Sequence, residues 1–388
     1  MSATLPPLHR LPVSPARAPR PTTLPDGTPA WLVTRYHDVK QALGDPRLTR
    51  ADLEQIGTVG PTAEVSGNPA SLFNQDGPAH RRLRATFQRA FTPRAIADWQ
   101  PWVAEAVQRA VDALVAAGPP ADLITAFTRP VPFAVTDRLT GLDGLVEEER
   151  LRRWAHAVLA QGEGSAPDPD GIAEFSAFTA ELMGRRRREP GEDLVSRLVR
   201  AADEDGGIPE ESLVHLVCGL IASGNESITG ALGNALLYLL GERADHWPRL
   251  ADPGTADRTT ERLCHFIPLG DDEHTIRRTT APLDLGGVTV PGGAVVALSL
   301  GSANRDPAVH PDGLDADLAL PLTAPTLAFS AGPHYCVGAW LVRLEMRESL
   351  QRLAAALPAL RLTTAPDAPT PWRLGTTTRS PASLPAAW

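Results

Sequence analysis

A chain of 388 residues, 43% of them hydrophobic, is long enough to bury a large core, as one big domain or several smaller ones. Its formal net charge of -9 argues against general nucleic-acid binding. The 3 cysteines, Cys218, Cys264 and Cys336, are far apart in sequence and read as reduced thiols of a cytoplasmic protein, with no disulfide framework.

Residues 1–24 are rich in proline and arginine and contain neither the apolar stretch of a signal peptide nor one able to span a bilayer. This predicts a loose leader and no membrane attachment. Ala30 to Tyr36 reads as a strand and His37 to Leu43 as a short helix stopped by Gly44-Asp45-Pro46. From 51 to 75 Gly, Ser, Thr and Pro gather without periodicity, which predicts a long loop. Helical patterns follow at Pro78 to Phe91, Pro101 to Ala117, Leu123 to Leu142, Val146 to Gln161, Gly171 to Arg188, Asp193 to Asp203 and Pro209 to Leu240. The run Arg185 to Arg188 ends a helix, where cations offset the dipole, and reads as a solvated face. Beyond Gly270 short strands take over, at Asp284 to Val290, Ala294 to Leu298 and around Trp372 to Trp388. The predicted fold class is mainly α with a smaller β region.

The most specific segment is Phe329-Ser330-Ala331-Gly332-Pro333-His334-Tyr335-Cys336-Val337-Gly338, a turn-rich loop directly ahead of a helical pattern. A thiolate offered to a metal needs an approach free of bulky side chains, backbone N–H groups aimed at the sulfur and a positive surrounding. Gly332 and Gly338 supply backbone freedom, and the start of the next helix supplies the positive end of a dipole. Phe329 can cover the sulfur, and His334 can donate to an anion at the edge of the site.

FSAGPHYCVG followed by AWLVRLEM resembles the cysteine-ligand loop and next helix of cytochromes P450, in particular the soluble bacterial ones. The resemblance covers roughly residues 25 to 388 and implies one domain of the P450 fold, a triangular prism with haem b (iron protoporphyrin IX) between a long central helix and the cysteine loop. Cys336 is then the iron ligand, with Phe329, His334 and Gly338 around the haem. Buried propionates require cationic or donor groups. His80 and Arg84 in DGPAHRRLR sit one helical turn apart and resemble the family's pair on helix C. Arg277 in HTIRRTTAPLDLGG has the spacing of its strand arginine.

In the long helix, Ala222-Ser223-Gly224-Asn225-Glu226-Ser227 resembles the family's oxygen-side segment, where a widened turn admits dioxygen. Glu226 and Ser227 would be the acid and alcohol that relay protons, with Ala222, Ser223 and Gly224 in the pocket wall. Serine replaces the usual threonine, which keeps the hydroxyl but fixes its rotamer less firmly. Gly270-Asp271-Asp272-Glu273-His274 falls where the family lines its pocket, so Asp271 and its neighbours face either a polar or cationic substrate or solvent. The family's mobile lid corresponds to 164–170.

One departure stands out. The family's Glu-x-x-Arg on helix K joins a second arginine in the later meander, whereas here the aligned positions hold Arg262, His265 and Leu320. Joint replacement of a buried charge set can be nearly neutral, whereas loss of one member costs ~3 to 5 kcal/mol. The expectation is that Arg262 turns to solvent or a carboxylate, His265 is neutral and hydrogen-bonded, and Leu320 packs among apolar neighbours.

The resemblance implies a haem-thiolate monooxygenase acting on a small organic molecule, as a monomer, with electrons from a separate ferredoxin and ferredoxin reductase. Arg81, Arg82, Arg89, Arg343 and Arg347 fall on the family's cysteine side, where an acidic ferredoxin could dock. The alternatives are a P450-like auxiliary protein that activates a partner enzyme, and a haem protein with peroxide-driven or non-redox chemistry.

Overall fold

The computed structural model describes residues 5–24, 26–50, 68–160, 165, 168–270, 274–313, 316–364 and 369–388. Strand β1 (Arg20–Thr23) pairs antiparallel with β2 (Pro29–Val33), whose buried Leu32 and Val33 lead into α1 (Tyr36–Gly44). Asp306 accepts from the Tyr36 N–H at 3.0 Å and so satisfies one of the free donors at the start of α1. After β3 (Leu48–Thr49) come α2 (Gly77–Ala85) and α3 (Pro93–Ala117). The Thr92 hydroxyl caps α3 by accepting from the Ala95 N–H at 3.3 Å, and Pro93 opens it at no cost in hydrogen bonds. The helix start predicted at Pro101 is therefore late by about two turns. Pro101 lies inside α3 on its exposed face, where water can serve the carbonyl that loses its N–H partner.

β4 (Ala121–Asp122) and a π-helical turn at Ile124–Thr128 precede α4 (Pro130–Thr140), so the helix expected over Leu123 to Leu142 is broken. Pro130 and Pro132 cannot donate to the preceding turn, which is a sufficient cause. α5 (Glu148–Leu159), α6 (Pro169–Arg188) and α7 (Leu194–Asp205) gather around α8 (Glu210–Glu242), a 33-residue helix. At 1.5 Å per residue α8 runs about 50 Å. It is buried on nearly all sides and forms the axis of the main core, with Glu210 and Glu211 offsetting its N-terminal dipole. The basic run is used within the fold: Arg186 reaches Asp143 and Asp193, and Arg187 reaches Asp203 and Glu210.

α9 (Pro253–Phe266) is followed by β5 (His274–Thr279), β6 (Leu283–Leu285), β7 (Val288–Val290) and β8 (Val295–Ser299). The single strand expected from Asp284 to Val290 is a hairpin, turned at Gly286 and Gly287 with φ of 52° and 84°. Two successive positive φ values suit glycine. The larger sheet has the order β1-β2-β8-β5-β3, with β2 and β8 parallel. A short α10 (Leu300–Asn304) and α11 (Ala339–Ala356) flank the cysteine loop. The chain closes with β9 (Arg361–Leu362), β10 (Trp372–Arg373), β11 (Ser380–Pro381) and β12 (Pro385–Ala387), in which β10 pairs with β11, and β12 joins β4 to β9.

Much of the supposed leader belongs to this body. Leu8 is fully buried, the carbonyl of Leu11 accepts from Arg305 at 2.8 Å, that of Leu5 accepts from the Trp372 indole at 3.0 Å, and β1 extends the sheet. A proline-rich stretch needs few backbone partners and can be pinned by a handful of outside donors. No helix among the described residues is long and apolar enough to cross a membrane. Residues 51–67 of the predicted loop, 164, 166 and 167 of the expected lid, and Asp271 to Glu273 lie outside the described residues.

Candidate active site

A cavity of about 500 Å³ separates the middle of α8 from the cysteine loop, with a mostly apolar lining. Cys336 faces it. The loop is set by Gly332, whose φ is 66° and where an added Cβ would lie 2.5 Å from the Leu43 carbonyl oxygen, so only glycine fits. The Cys336 N–H donates to the Phe329 carbonyl at 2.9 Å, which folds the loop back under Phe329. Burial pushes the Cys336 thiol up, while the backbone N–H groups of Gly338 and Ala339 and the guanidiniums of Arg84 and Arg343 pull the other way. These are the donors and cations that a metal-bound sulfur requires. Gly338 begins the turn into α11, and a Cβ there would stand 4.0 Å from the sulfur.

A cluster of basic groups lies along one edge of the cavity. Arg277 on β5 is 3% exposed, and burial holds its guanidinium well below the ordinary arginine range. His80 on α2 is 1% exposed with no hydrogen-bond partner for either ring nitrogen, and burial, then His334 and Arg84, push it down to about 4. The His80 and His334 rings pack at a tilt with centroids 4.4 Å apart. The His334 Nε2–H donates to Asp76 at 2.9 Å, and Asp76 also accepts from Thr49 and the Arg50 backbone at 2.7 Å each. Burial alone would raise Asp76, but these donors hold it below the usual carboxylate range. Arg84 lines the same cavity and donates through one nitrogen to the Tyr335 carbonyl at 2.6 Å, which ties α2 to the cysteine loop.

Two members of the cluster were not singled out from sequence. Arg50 is enclosed, pushed down to about 10 by burial, and its Nε lacks a partner. Asp76 anchors His334. The available signal was their place, at the end of Leu48-Thr49-Arg50 and immediately before Gly77-Pro78.

This donor set fits a haem. Orphaned donors on His80 and Arg50 beside the strongly desolvated Arg277 call for anionic partners, which propionates would be, and the free Cys336 thiol faces the same cavity.

Across the cavity, Ser223, Gly224 and Ser227 line the α8 side. The Ser227 hydroxyl donates to the Ser223 carbonyl at 2.5 Å, and α8 continues unbroken through this turn, without the widening expected. Ala222 is fully buried and does not reach the cavity, because it points to the opposite face of α8 from Gly224. Glu226 does not line the cavity either. It is 2% exposed and its carboxylate accepts from Arg373 on β10 at 2.8 Å. Asp271 lies outside the described residues.

The helix K substitutions correct the sequence reading in two respects. Of the two places expected for Arg262, solvent or a carboxylate, it takes the second, with Asp312 at 3.6 Å, but it is 2% exposed and its hydrogen bonds go to the Leu320 and Pro321 carbonyls at 2.6 and 2.9 Å. Leu320 is exposed and contributes its carbonyl, not an apolar contact. His265 is neutral as expected, pushed down to about 3 by burial and then His310, but neither ring nitrogen has a hydrogen-bond partner. It packs against His310, ring centroids 4.3 Å apart. Glu261 faces α11 and accepts both arms of Arg343 at 2.5 and 2.9 Å. Arg82 is likewise held, by Asp205, and Arg347 by Glu348, whereas Arg81 and Arg89 are exposed on the cysteine side.

A model of the family Cytochrome P450 matches residues 266–366. Over 383 residues the chain is 37% identical to nocardicin C N-oxygenase of Nocardia uniformis subsp. tsuyamanensis, covering 97% of this chain and 94% of that one. It is 36% identical to mycinamicin IV hydroxylase/epoxidase of Micromonospora griseorubida, over 94% of this chain and 91% of the relative. Among solved structures, that of HinD with NMFT and NO superposes with a TM-score of 0.87 at 34% identity, covering 100% of this chain and 98% of HinD. The LnmA cytochrome P450 hydroxylase from the leinamycin biosynthetic pathway of Streptomyces atroolivaceus gives 0.83 at 32% identity, over 95% and 92%.

Proposed function

Since the chain belongs to the cytochrome P450 family, as a monooxygenase-type oxidoreductase whose haem b is bound through its cysteine, we propose that it oxidises a specialised-metabolite intermediate with electrons from a ferredoxin and its reductase. The observation that carries this reading is the cavity itself, with Cys336 on one wall, Ser227 on the other and unpartnered donors along one edge.

Cys336 would hold the iron, and Arg50, His80, Arg84, Arg277 and His334 would receive the propionates. Haem b, when bound, supplies dioxygen activation and transfer of one oxygen atom to the organic substrate. Phe329 and the apolar lining exclude water from the sulfur. Arg343 lies over the Phe329 ring at 4.3 Å and keeps positive charge beside the thiolate. On the α8 side Ser227 presents a hydroxyl to the cavity that can hold or pass on a proton, while Glu226, the next residue back, faces away in its ion pair with Arg373. The relatives named above oxidise nocardicin C and mycinamicin IV, and LnmA belongs to the leinamycin biosynthetic pathway, which supports a specialised-metabolite substrate.

The test is the absorption spectrum of the reduced protein under carbon monoxide. A strongly red-shifted Soret band is expected, and Cys336→Ala should abolish it. A wild type without haem would overturn the reading.

A further inference from the structure

The two faces of α11 have different neighbours. Leu341, Val342, Glu345 and Met346 line the cavity, and at about 100° per residue Trp340, Arg343 and Arg347 fall on the opposite side of the helix. Trp340 is 44% exposed on that outer face and does not line the cavity, so its indole meets outside solvent. It is also close to the sulfur. The N–H of Ala339, the residue before it, is one of the backbone donors acting on the Cys336 thiol, so one residue of backbone and one hydrogen bond separate the indole from the sulfur. The cations of this side are mostly spent within the fold. Arg343 lies between the Phe329 and Trp340 rings, at 4.3 and 5.3 Å, and gives both arms to Glu261. Arg82 pairs with Asp205 and Arg347 with Glu348. Arg81 on α2 and Arg89 in the turn after it are exposed and make no ion pair among the described residues; Arg84 ties α2 to the cysteine loop. Two unspent cations steer an acidic partner, but salt screens them and rim charges govern approach more than residence. Tryptophan is the side chain that most often supplies residence.

We propose that Trp340 is the apolar anchor on which a small acidic iron–sulfur protein of the ferredoxin class docks, with Arg81 and Arg89 steering its negative surface into place. This rests on the proposed ferredoxin-fed reaction and names the contact that serves it. The occupant is of that class because the face joins unspent positive charge to a short covalent approach to the sulfur. A partner whose cluster sits over Trp340 passes one electron to the iron: the cluster is oxidised by one, the iron reduced by one, and no bond is made and no proton moved. Arg343, fixed by Glu261, backs the indole and keeps it presented.

Calorimetric titration of the haem-loaded protein with a plant-type [2Fe–2S] ferredoxin, at low and high salt, tests it. Trp340→Ala should weaken binding roughly thirtyfold, the scale of an interface hot spot, by a similar factor at both salt concentrations. Replacing Arg81 and Arg89 together by glutamine should weaken binding at low salt and leave it nearly unchanged at high salt. Trp340→Phe should recover most of the alanine loss. Reduction by ferredoxin should slow in the same order, while reduction by dithionite and the Soret band under carbon monoxide stay as in wild type, which separates docking from damage to the cysteine loop. Trp340→Gln, which keeps a long side chain beside Arg343, serves if the alanine variant disturbs that loop. Equal affinity in wild type and the position-340 variants overturns the anchor and leaves the ferredoxin reading standing, whereas a wild type that binds no ferredoxin overturns both. A loss at position 340 that vanishes at high salt also overturns the anchor, because the contact would then be electrostatic. So does a wild type that self-associates through Trp340 in sedimentation, because the face would then join two copies of the chain.

Discussion

The His265 substitution makes a quantitative statement about acid stability. In the folded protein its imidazole is 3% exposed, without hydrogen-bond partners, and pushed down to about 3 from an ordinary 6.5. Because the folded pKa is depressed, the unfolded chain takes up a proton first, and stability falls as pH drops below 6.5. Each pH unit between the two values costs ~1.4 kcal/mol, so lowering the pH from 7.5 to 5 should remove about 2 kcal/mol, close to a 30-fold change in the unfolding equilibrium. His265→Phe keeps a ring against His310 and Phe266 but cannot titrate. The assay is urea unfolding of both proteins at a series of pH values, followed by tryptophan fluorescence. The stability of the variant relative to wild type should shift by about 2 kcal/mol in the variant's favour between pH 7.5 and 5, whatever the difference at neutral pH. Parallel curves would refute the reasoning and mean that water or a neighbour serves the ring.

Other outcomes follow from single contacts. Arg262→Gln removes a buried guanidinium that serves the Leu320 and Pro321 carbonyls; it should cost about 3 kcal/mol and speed haem transfer to apomyoglobin. Ser227→Ala should retain haem while diverting electrons to peroxide, whereas Ser227→Thr should be tolerated; unchanged peroxide release in the alanine variant would remove Ser227 from the proton route. Glu345 on α11 lines the cavity, is 1% exposed, has an unpartnered oxygen, and is held well above the usual carboxylate range by burial. Its stabilising contribution is present at low pH and lost as pH rises, so Glu345→Gln should flatten the alkaline side of the stability profile and remove a protonated-carboxyl infrared band.

What could be read from sequence divides by range. The cysteine loop was legible because its constraints are local: Gly332 is needed by one close approach to Leu43, and Cys336, Phe329 and Gly338 act within a single turn. Helices with one apolar stripe, such as α5 and α7, were likewise recovered. Boundaries failed where proline had two readings, since Pro93 opens α3 and Pro101 sits within it. The functional pairs failed where partners are remote. Asp76 meets His334 across 258 positions and Glu226 meets Arg373 across 147, and no periodicity records such contacts. The leader was misread because composition reports what a segment cannot do alone, not which donors reach it.

The helix K site shows how a fold can lose a motif and keep its purpose. A glutamate there would accept, and therefore needs arginines as donors; Arg262 is itself a donor, and the backbone of the meander is rich in acceptors. Reversing the polarity of one position lets the carbonyls of Leu320 and Pro321, with Asp312 at 3.6 Å, take the place of the arginine partners. The meander then needs no arginine, which is why Leu320 can face solvent. Nor does the third position need a charge, since burial together with His310, Arg262 and Arg305 disfavours a cation at 265. A neutral imidazole is the ionisable side chain that can occupy that place at neutral pH, and its cost is postponed to acid conditions. The three substitutions are thus one change, and reverting Arg262→Glu alone would put a buried carboxylate against two carbonyl oxygens. That variant should hold haem less well than wild type, and equal retention would show that the meander is anchored by something other than this helix.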